Sequence, residues 1–474
     1  MIEFLGMIYV LTVATLSLFG FLGLFTLWLY WRHRHDKAPC PTLPAELPSV
    51  TIQLPIFNEK YVVERLIKAA VSQDYPADKL HIQVLDDSTD DTTDIAADLV
   101  THYKKQGIHI DLIHRNNRIG YKAGALAAAL PAAQGEFVAI FDADFEPTSD
   151  FLQKTIPYFT NEPELGMIQA RWGHLNPDDS ALTAAQAIAL DKHFAMEQTV
   201  RHRANIYPKF NGAGGIWRRT CMEDAGGWQD DTVCEDLDLS TRAILKGWQF
   251  RFLNDVTAPA ELPTSITAYK SQQARWAKGS TQCLGKFGWD ILTDQQHSLG
   301  ARLYALVSMS AYSTHLLLLV LLFLQIPLIY WGYSFPSLLF VFSLIAIGQP
   351  LLFVLGQQVL YPDWLKRLRH FPTLLVVAIG LAPSNSRAIL QAFSGGQHVF
   401  VRTPKTGLLK GNPVEYRLPF DWIVIAEVFL AVYALAGLLL AISQRNWGPT
   451  VFLGSCTVGF GYVAWLSLRE LVNR

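Results

Sequence analysis

The residues that could carry chemistry sit at the ends of apolar runs. Phe137-Val-Ala-Ile-Phe141 leads straight into Asp142-Ala-Asp144. Five consecutive apolar residues read as a strand buried on both faces, the kind found in parallel sheets. Side chains alternate along a strand, so these two carboxylates start on one face at its C-terminal end. Ligands bind at that end of a parallel α/β sheet. A carboxylate pair placed there can hold a hard divalent cation, Mg²⁺ or Mn²⁺, which shares its other positions with substrate phosphates. The bland alternative is a pair of acids capping the next helix, and the surroundings of the pair decide against it.

Strands and helices must alternate to position such a pair, and the sequence reads that way. Strand patterns fall at 50–54, 81–85, 108–113 and 137–141, with helical patterns near 58–72, 92–106 and 121–133. This alternation predicts a βαβ parallel sheet. Ligand-type residues follow three of the strands: Pro55, Asn58 and Glu59; then Asp86, Asp87 and Ser88; then Asp142 and Asp144. One acidic strand end arises by chance. Three in one sheet converge on one crevice, and that is a site.

The chain has 474 residues, 50% apolar and 12% aromatic, with a net charge of −2. The length accommodates two domains, and the charge balance gives no reason to expect nucleic acid. Cys40, Cys221, Cys234, Cys283 and Cys456 are scattered, with neither disulfide-framework nor zinc spacing, which suits a reducing compartment.

Apolar residues are unevenly distributed. Residues 7–31 form a run long enough to span a bilayer, closed by the basic flank Trp31-Arg-His-Arg-His-Asp-Lys37. The flank predicts that the chain beyond Lys37 enters the cytosol. Further apolar segments lie at 302–330, 335–356, 371–393, 419–442 and 450–468. The loops on both sides of 371–393 are basic: Lys366, Arg367 and Arg369 before it, Arg402, Lys405, Lys410 and Arg417 after it. Both loops belong in the cytosol by the positive-inside rule, which makes 371–393 an interfacial helix between five spans. The expected domains are an anchor at 1–37, a cytosolic domain at 38–300 and a membrane bundle at 301–474. Within the bundle, Tyr304, Ser308, Tyr312 and His315 fall on one face if 302–330 is a single helix. Glu427, an ionisable residue at membrane depth, is a functional candidate by default.

Downstream of the acidic pair come Gln169-Ala-Arg-Trp172, Phe210-Asn-Gly-Ala-Gly-Gly215, Cys234-Glu-Asp236 and Gln272-Gln-Ala-Arg275-Trp276. In order and spacing these resemble glycosyltransferase family 2, in its cellulose-synthase-like branch, and look closest to the plant cellulose synthase-like A mannan synthases and bacterial relatives. The resemblance covers residues 45–410. It implies a fold of the α/β class, a GT-A (Rossmann-like) cytosolic glycosyltransferase domain inserted between transmembrane α-helices.

The resemblance also implies roles. Pro55, Asn58, Glu59, Asp86, Asp87, Lys122, Asp142, Gln272 and Arg275 would bind a UDP- or GDP-hexose donor, with Asp142 and Asp144 on Mg²⁺ or Mn²⁺. Asp236 would be the catalytic base. Trp172, Phe210, Asn211, Gly212 and Trp276 would meet the acceptor. Phe400, Thr403 and Lys405 resemble a gating loop, with Arg402 departing from its pattern. Cys234 stands where a Thr is common.

The chemistry suits these residue types on its own terms. Inverting transfer needs one base and no protein nucleophile, together with positive charge on the departing diphosphate. Asp236 opens a helical pattern, where the helix dipole favours an ionised carboxylate. Trp276 offers a flat face for a sugar ring. The expected product is a β-linked polysaccharide, extended and exported through the membrane segments. A glycolipid made by single transfer to diacylglycerol or ceramide is the alternative, and a scaffold without catalysis a third. The expected location is the plasma (inner) membrane, with the catalytic domain in the cytosol.

Overall fold

The computed structural model of this chain describes residues 1–36, 41–160, 162–337, 339–394 and 419–472. Phe400, Arg402, Thr403 and Lys405 lie outside the described residues.

The strands are β1 (Val50–Ile56), β2 (Leu80–Asp86), β3 (Ile110–His114), β4 (Phe137–Ile140), β5 (Leu165–His174), β6 (Gly215–Arg218) and β7 (Gln249–Ala260). Among the described residues they form one sheet in the order β3-β2-β1-β4-β6-β5-β7. β1 to β4 are mutually parallel. Their register sets Ile56 beside Asp86 and Asp86 beside His114, so the C-terminal ends of β1, β2 and β3 lie level. β6 runs antiparallel to both β4 and β5, which corrects the all-parallel expectation to a mixed sheet. Being only four residues long and entered through the positive-φ residues Gly212 and Gly214, β6 leaves no apolar run to read.

The helices between the parallel strands form because their apolar residues fall on one stripe. In Val63–Val71 the residues Val63, Leu66, Ile67 and Ala70 are buried at i, i+3, i+4 and i+7 and pack on the sheet. β1 is buried along both faces. Its buried residue Gln53 pairs in register through its NH₂, which donates to Gln83 Oε1 on β2 at 2.9 Å. A buried amide left without a partner there would cost about 1–3 kcal/mol.

Among the described residues, five helices are long and apolar enough to cross a membrane: Ile2–His33, Ser313–Tyr330, Leu339–Leu360, Ile423–Ser443 and Thr450–Val472. A bent pair, Trp364–Gly380 and Ala382–Ala392 at 44°, raises the count to six if it forms one span. Segment 302–330 is not the single helix expected. It breaks between Leu299–Met309 and Ser313–Tyr330, where Ser280 Oγ donates to the carbonyl of Met309 at 2.7 Å. The break dismantles the expected polar stripe. Tyr304 shares a hydrogen bond with Thr26 of the first helix at 3.0 Å, whereas the Tyr312 hydroxyl donates to Gln273 at 3.1 Å.

Candidate active site

The loops after β1, β2 and β4 line one cleft, closed from the other side by the helix Ile266–Thr293. The cleft holds about 1090 Å³ of empty space, open solvent at its mouth included, enough for a nucleotide sugar. Asp142 and Asp144 both line it, though not by strand alternation. β4 stops at Ile140, and the acids sit in the turn after it, where the Phe145 N–H donates to the Asp142 carbonyl at 3.0 Å. Phe145 then bridges to Ala260, holding the turn against the end of β7.

Lys122 stands at the centre of the cleft. Its ammonium lies 2.6 Å from Asp142 Oδ1 and 3.7 Å from Glu235 Oε1, and donates to the Gly212 carbonyl at 2.9 Å. Burial disfavours its charge, but Asp142 and Glu235 outweigh that and hold its pKa above the ordinary range. Facing it, Asp236 lies in the first turn of the helix Glu235–Leu245 and accepts from the Leu237 N–H at 2.8 Å. Burial first, and then the neighbouring Glu235, push the Asp236 carboxyl up to about 7, against Lys122. A carboxylate poised there is matched to proton transfer near neutral pH. Gly212, at φ +86°, presses its backbone on this group: a Cβ at that position would lie 3.2 Å from Asp236 Oδ2.

Gln272, Arg275 and Trp276 occupy one face of Ile266–Thr293 and all line the cleft. Gly279, one turn further on, lets that helix press on the loop before Asp236. A Cβ there would fall 2.2 Å from Cys234 Sγ. The helix is also tied to the membrane bundle. Glu470 of the Thr450–Val472 span accepts from the Ile266 and Thr267 N–H groups at 2.6 and 3.2 Å. Lys270 reaches Glu427, so the acid singled out at membrane depth has a packing partner.

Pro55, Glu59, Asp87, Trp172 and Asn211 also line the cleft. Asp87 is held by Arg115, which donates to its two oxygens at 2.7 and 2.5 Å. Trp172 donates to the Ala213 carbonyl at 3.0 Å and meets Phe145 edge-on. Three expected residues stand elsewhere. Asp86 is fully buried, its carboxylate taken up by the Ser88 N–H, Thr93 Oγ1 and His114 Nδ1 at 2.9, 2.7 and 2.8 Å. Asn58, at φ +54°, accepts from the Thr89 N–H at 2.8 Å and knits two loops together. Phe210 packs edge-on against Trp217 in the core. Each is a strand-end or glycine-loop residue whose type suits a ligand as well as it suits the loop it braces.

The cleft also contains Phe57, Arg118 and Glu235, to which residue type and spacing alone assigned no role. Arg118 lies 3.4 Å over the Phe57 ring. The signal for Arg118 was its place just before Gly120, whose φ of +71° opens the helix carrying Lys122.

The residues present fit a hard divalent cation. Two carboxylates line one wall, and enclosure first and Asp144 second push the Asp142 carboxyl up against the pull of Lys122. A cation bound between them relieves that repulsion, and an all-oxygen donor set selects Mg²⁺ or Mn²⁺ over softer ions. The other possible metal group among the described residues, His81, His109 and Asp111, is at the opposite end of the sheet, with Lys104 on Asp111 at 2.7 Å.

Residues 48–279 match the family model "Glycosyltransferase like family 2". Glucomannan 4-beta-mannosyltransferase 9 of Arabidopsis thaliana is 41% identical over 265 residues, covering 55% of this chain and 50% of its own. A probable glucomannan 4-beta-mannosyltransferase 9 of Oryza sativa subsp. japonica is 36% identical over 323 residues, covering 65% and 61%. The chain thus spans about half the length of most of the curated relatives it matches. Among solved structures, the mannosyltransferase PcManGT of Pyrobaculum calidifontis, in complex with GDP-Man and Mn²⁺, superposes with a TM-score of 0.53. At 23% identity, over 82% of this chain and 98% of that one, it is a likeness of fold.

Proposed function

From the match of residues 48–279 to the glycosyltransferase-like family 2, we propose that the chain belongs to that family and is an inverting membrane glycosyltransferase. It transfers a hexosyl group from a nucleoside diphosphate sugar to a growing β-linked polysaccharide of the mannan or glucan type. The observation that carries the reading is one cleft in which Asp236, with its raised pKa, faces Lys122 and Asp142 beneath Arg275 and Trp276.

The reaction is one displacement. Asp236 takes the proton of the acceptor hydroxyl, whose oxygen forms a bond to the anomeric carbon of the donor. The bond from that carbon to the diphosphate oxygen breaks, and its electron pair leaves with the nucleotide. Lys122 and Arg275 neutralise the departing charge. Trp276 gives the acceptor sugar a stacking face and keeps water off the anomeric carbon. Asp142 and Asp144 would hold Mg²⁺ or Mn²⁺, which supplies further positive charge for the diphosphate.

The basic flank that closes the first apolar run supports a cleft facing the cytosol, with the long apolar helices in the plasma (inner) membrane. The test is transfer by the full chain in lipid nanodiscs, using GDP-[¹⁴C]mannose and UDP-[¹⁴C]glucose with Mn²⁺. Label should appear in polymer that a β-mannanase or β-glucanase degrades. Label extracted wholly into lipid would replace the polymer with a glycolipid. No transfer beyond that of the Asp236→Asn chain would overturn the reading.

A further inference from the structure

The helix that begins at Ala181 widens into one π-turn, His193–Gln198, beside the cleft. Such turns are rare and concentrate at functional sites. This one sends its side chains to residues that line the cleft. Phe194 packs against Trp172 at 5.3 Å. His193 Nε2 lies 3.0 Å from Asn211 Nδ2, and Gln198 Nε2 donates to Asn211 Oδ1 at 2.6 Å. Behind His193, Nδ1 lies 2.8 Å from Glu197 Oε2, and Glu197 Oε1 meets Lys192 at 2.5 Å.

These contacts leave one consistent proton arrangement. Burial works against the Glu197 charge, but Lys192 and His193 hold its carboxyl well below the ordinary range, so it only accepts. The proton of the neutral imidazole is therefore on Nδ1, and Nε2 is an acceptor. Among the described residues, the Asn211 NH₂ satisfies it. Its other end, Oδ1, already accepts from Gln198, and its backbone N–H donates to Gln169 Oε1 at 2.8 Å. The Asn211 amide is thus held in one of its two flip states, leaving one N–H and one Oδ1 lone pair available.

Resting on the transferase reading above, we propose that His193, braced by Glu197, is a positioning residue that fixes the Asn211 amide for binding of the acceptor sugar hydroxyls. Without the acceptor at Nε2, Gln198 alone would hold the amide, and its lone pair would meet the acceptor less firmly placed. The dyad touches neither the donor carboxylates nor the base, so it bears on acceptor binding and not on the donor.

Acid should mimic its loss. A proton added at Nε2 sets a donor against a donor, and turning the amide over only moves the clash to Gln198. Burial first lowers the His193 pKa, with Lys209 and Arg201 acting the same way and Glu197 opposing. The ring is therefore neutral at pH 7.

The test uses the full chain in nanodiscs, with GDP-[¹⁴C]mannose and UDP-[¹⁴C]glucose as donors and β-1,4-mannohexaose, cellohexaose or diacylglycerol as acceptors. For the pair the wild type uses, His193→Leu should raise the acceptor KM about tenfold, the value of one lost hydrogen bond. Donor affinity, read by calorimetry, should stay unchanged. His193→Gln, whose side-chain oxygen can still accept from Asn211, should recover most of the loss even if His193→Leu folds poorly. An unchanged acceptor KM in His193→Leu, or equal damage in His193→Gln, overturns the positioning role. A wild type that transfers neither sugar to any of these acceptors overturns the transferase reading, and this role with it.

Discussion

Lys270 and Glu427 meet at 2.8 Å with side chains only 4% and 0% exposed, joining the helix that closes the cleft to the Ile423–Ser443 span. Ser467 of the last span accepts from the same ammonium at 2.9 Å. Breaking a buried pair from one side leaves an uncompensated charge, whereas replacing both partners with apolar groups is often neutral. Lys270→Met is expected to cost about 3–5 kcal/mol, read as a lower Tm in detergent. The double variant Lys270→Met/Glu427→Leu should recover most of it. A double variant no better than the single one would mean that the pair does not act as a unit.

Asp236→Asn should lower transfer by about 10²–10⁴-fold, the usual value of a positioned base, with donor affinity nearly unchanged. The amide preserves the side chain's volume and removes no group that faces the diphosphate. Nucleotide release and calorimetric titration of the donor separate the two. Transfer within tenfold of wild type would remove Asp236 from the mechanism.

The same residue sets a pH dependence. A base acts when ionised, and the Asp236 carboxyl is raised to about 7. Transfer by the free enzyme should therefore fall about tenfold per pH unit below that value and level off above it. A kcat/KM profile from about pH 5.5 to 8.5 checks this, and a flat profile across that range would contradict it.

Asp144→Ala should abolish the Mn²⁺ dependence of donor binding while leaving the fold intact, because the residue sits in a turn at the mouth of the cleft. Titration of the nucleotide sugar with and without Mn²⁺ decides the matter. Equal metal dependence in the variant would place the cation elsewhere.

Much of the sheet was legible because β1, β2 and β4 are short apolar runs, each ending in polar residues. The same rule does not separate residues that line the cleft from those beside it. Asp86 and Asn58 follow strands just as Asp87 and Glu59 do, but they brace loops beside the cleft, whereas Asp87, though clasped by Arg115, lines it. Nothing in residue type distinguishes a carboxylate that caps a loop from one that faces a ligand. β6 was missed because four residues carry no period, and the π-turn at His193–Gln198 because its effect depends on which neighbours it meets. The break at Ser310–Tyr312 escaped a reading of apolar length, since a carbonyl satisfied by Ser280 is invisible along the chain.

Glu470 accepts from the first N–H groups of the helix Ile266–Thr293, nine residues before Arg275 and so about 14 Å along the axis. The cap belongs to a span, and a span tilts to match the thickness of the lipid around it. Arg275 thus stands on a lever whose fulcrum is set by the bilayer. On the transferase reading proposed above, acyl-chain length is therefore expected to act as a kinetic variable, through the tilt of Thr450–Val472. On that reading, nucleotide affinity is expected to differ between the chain in short-chain detergent and the chain in native-length lipid.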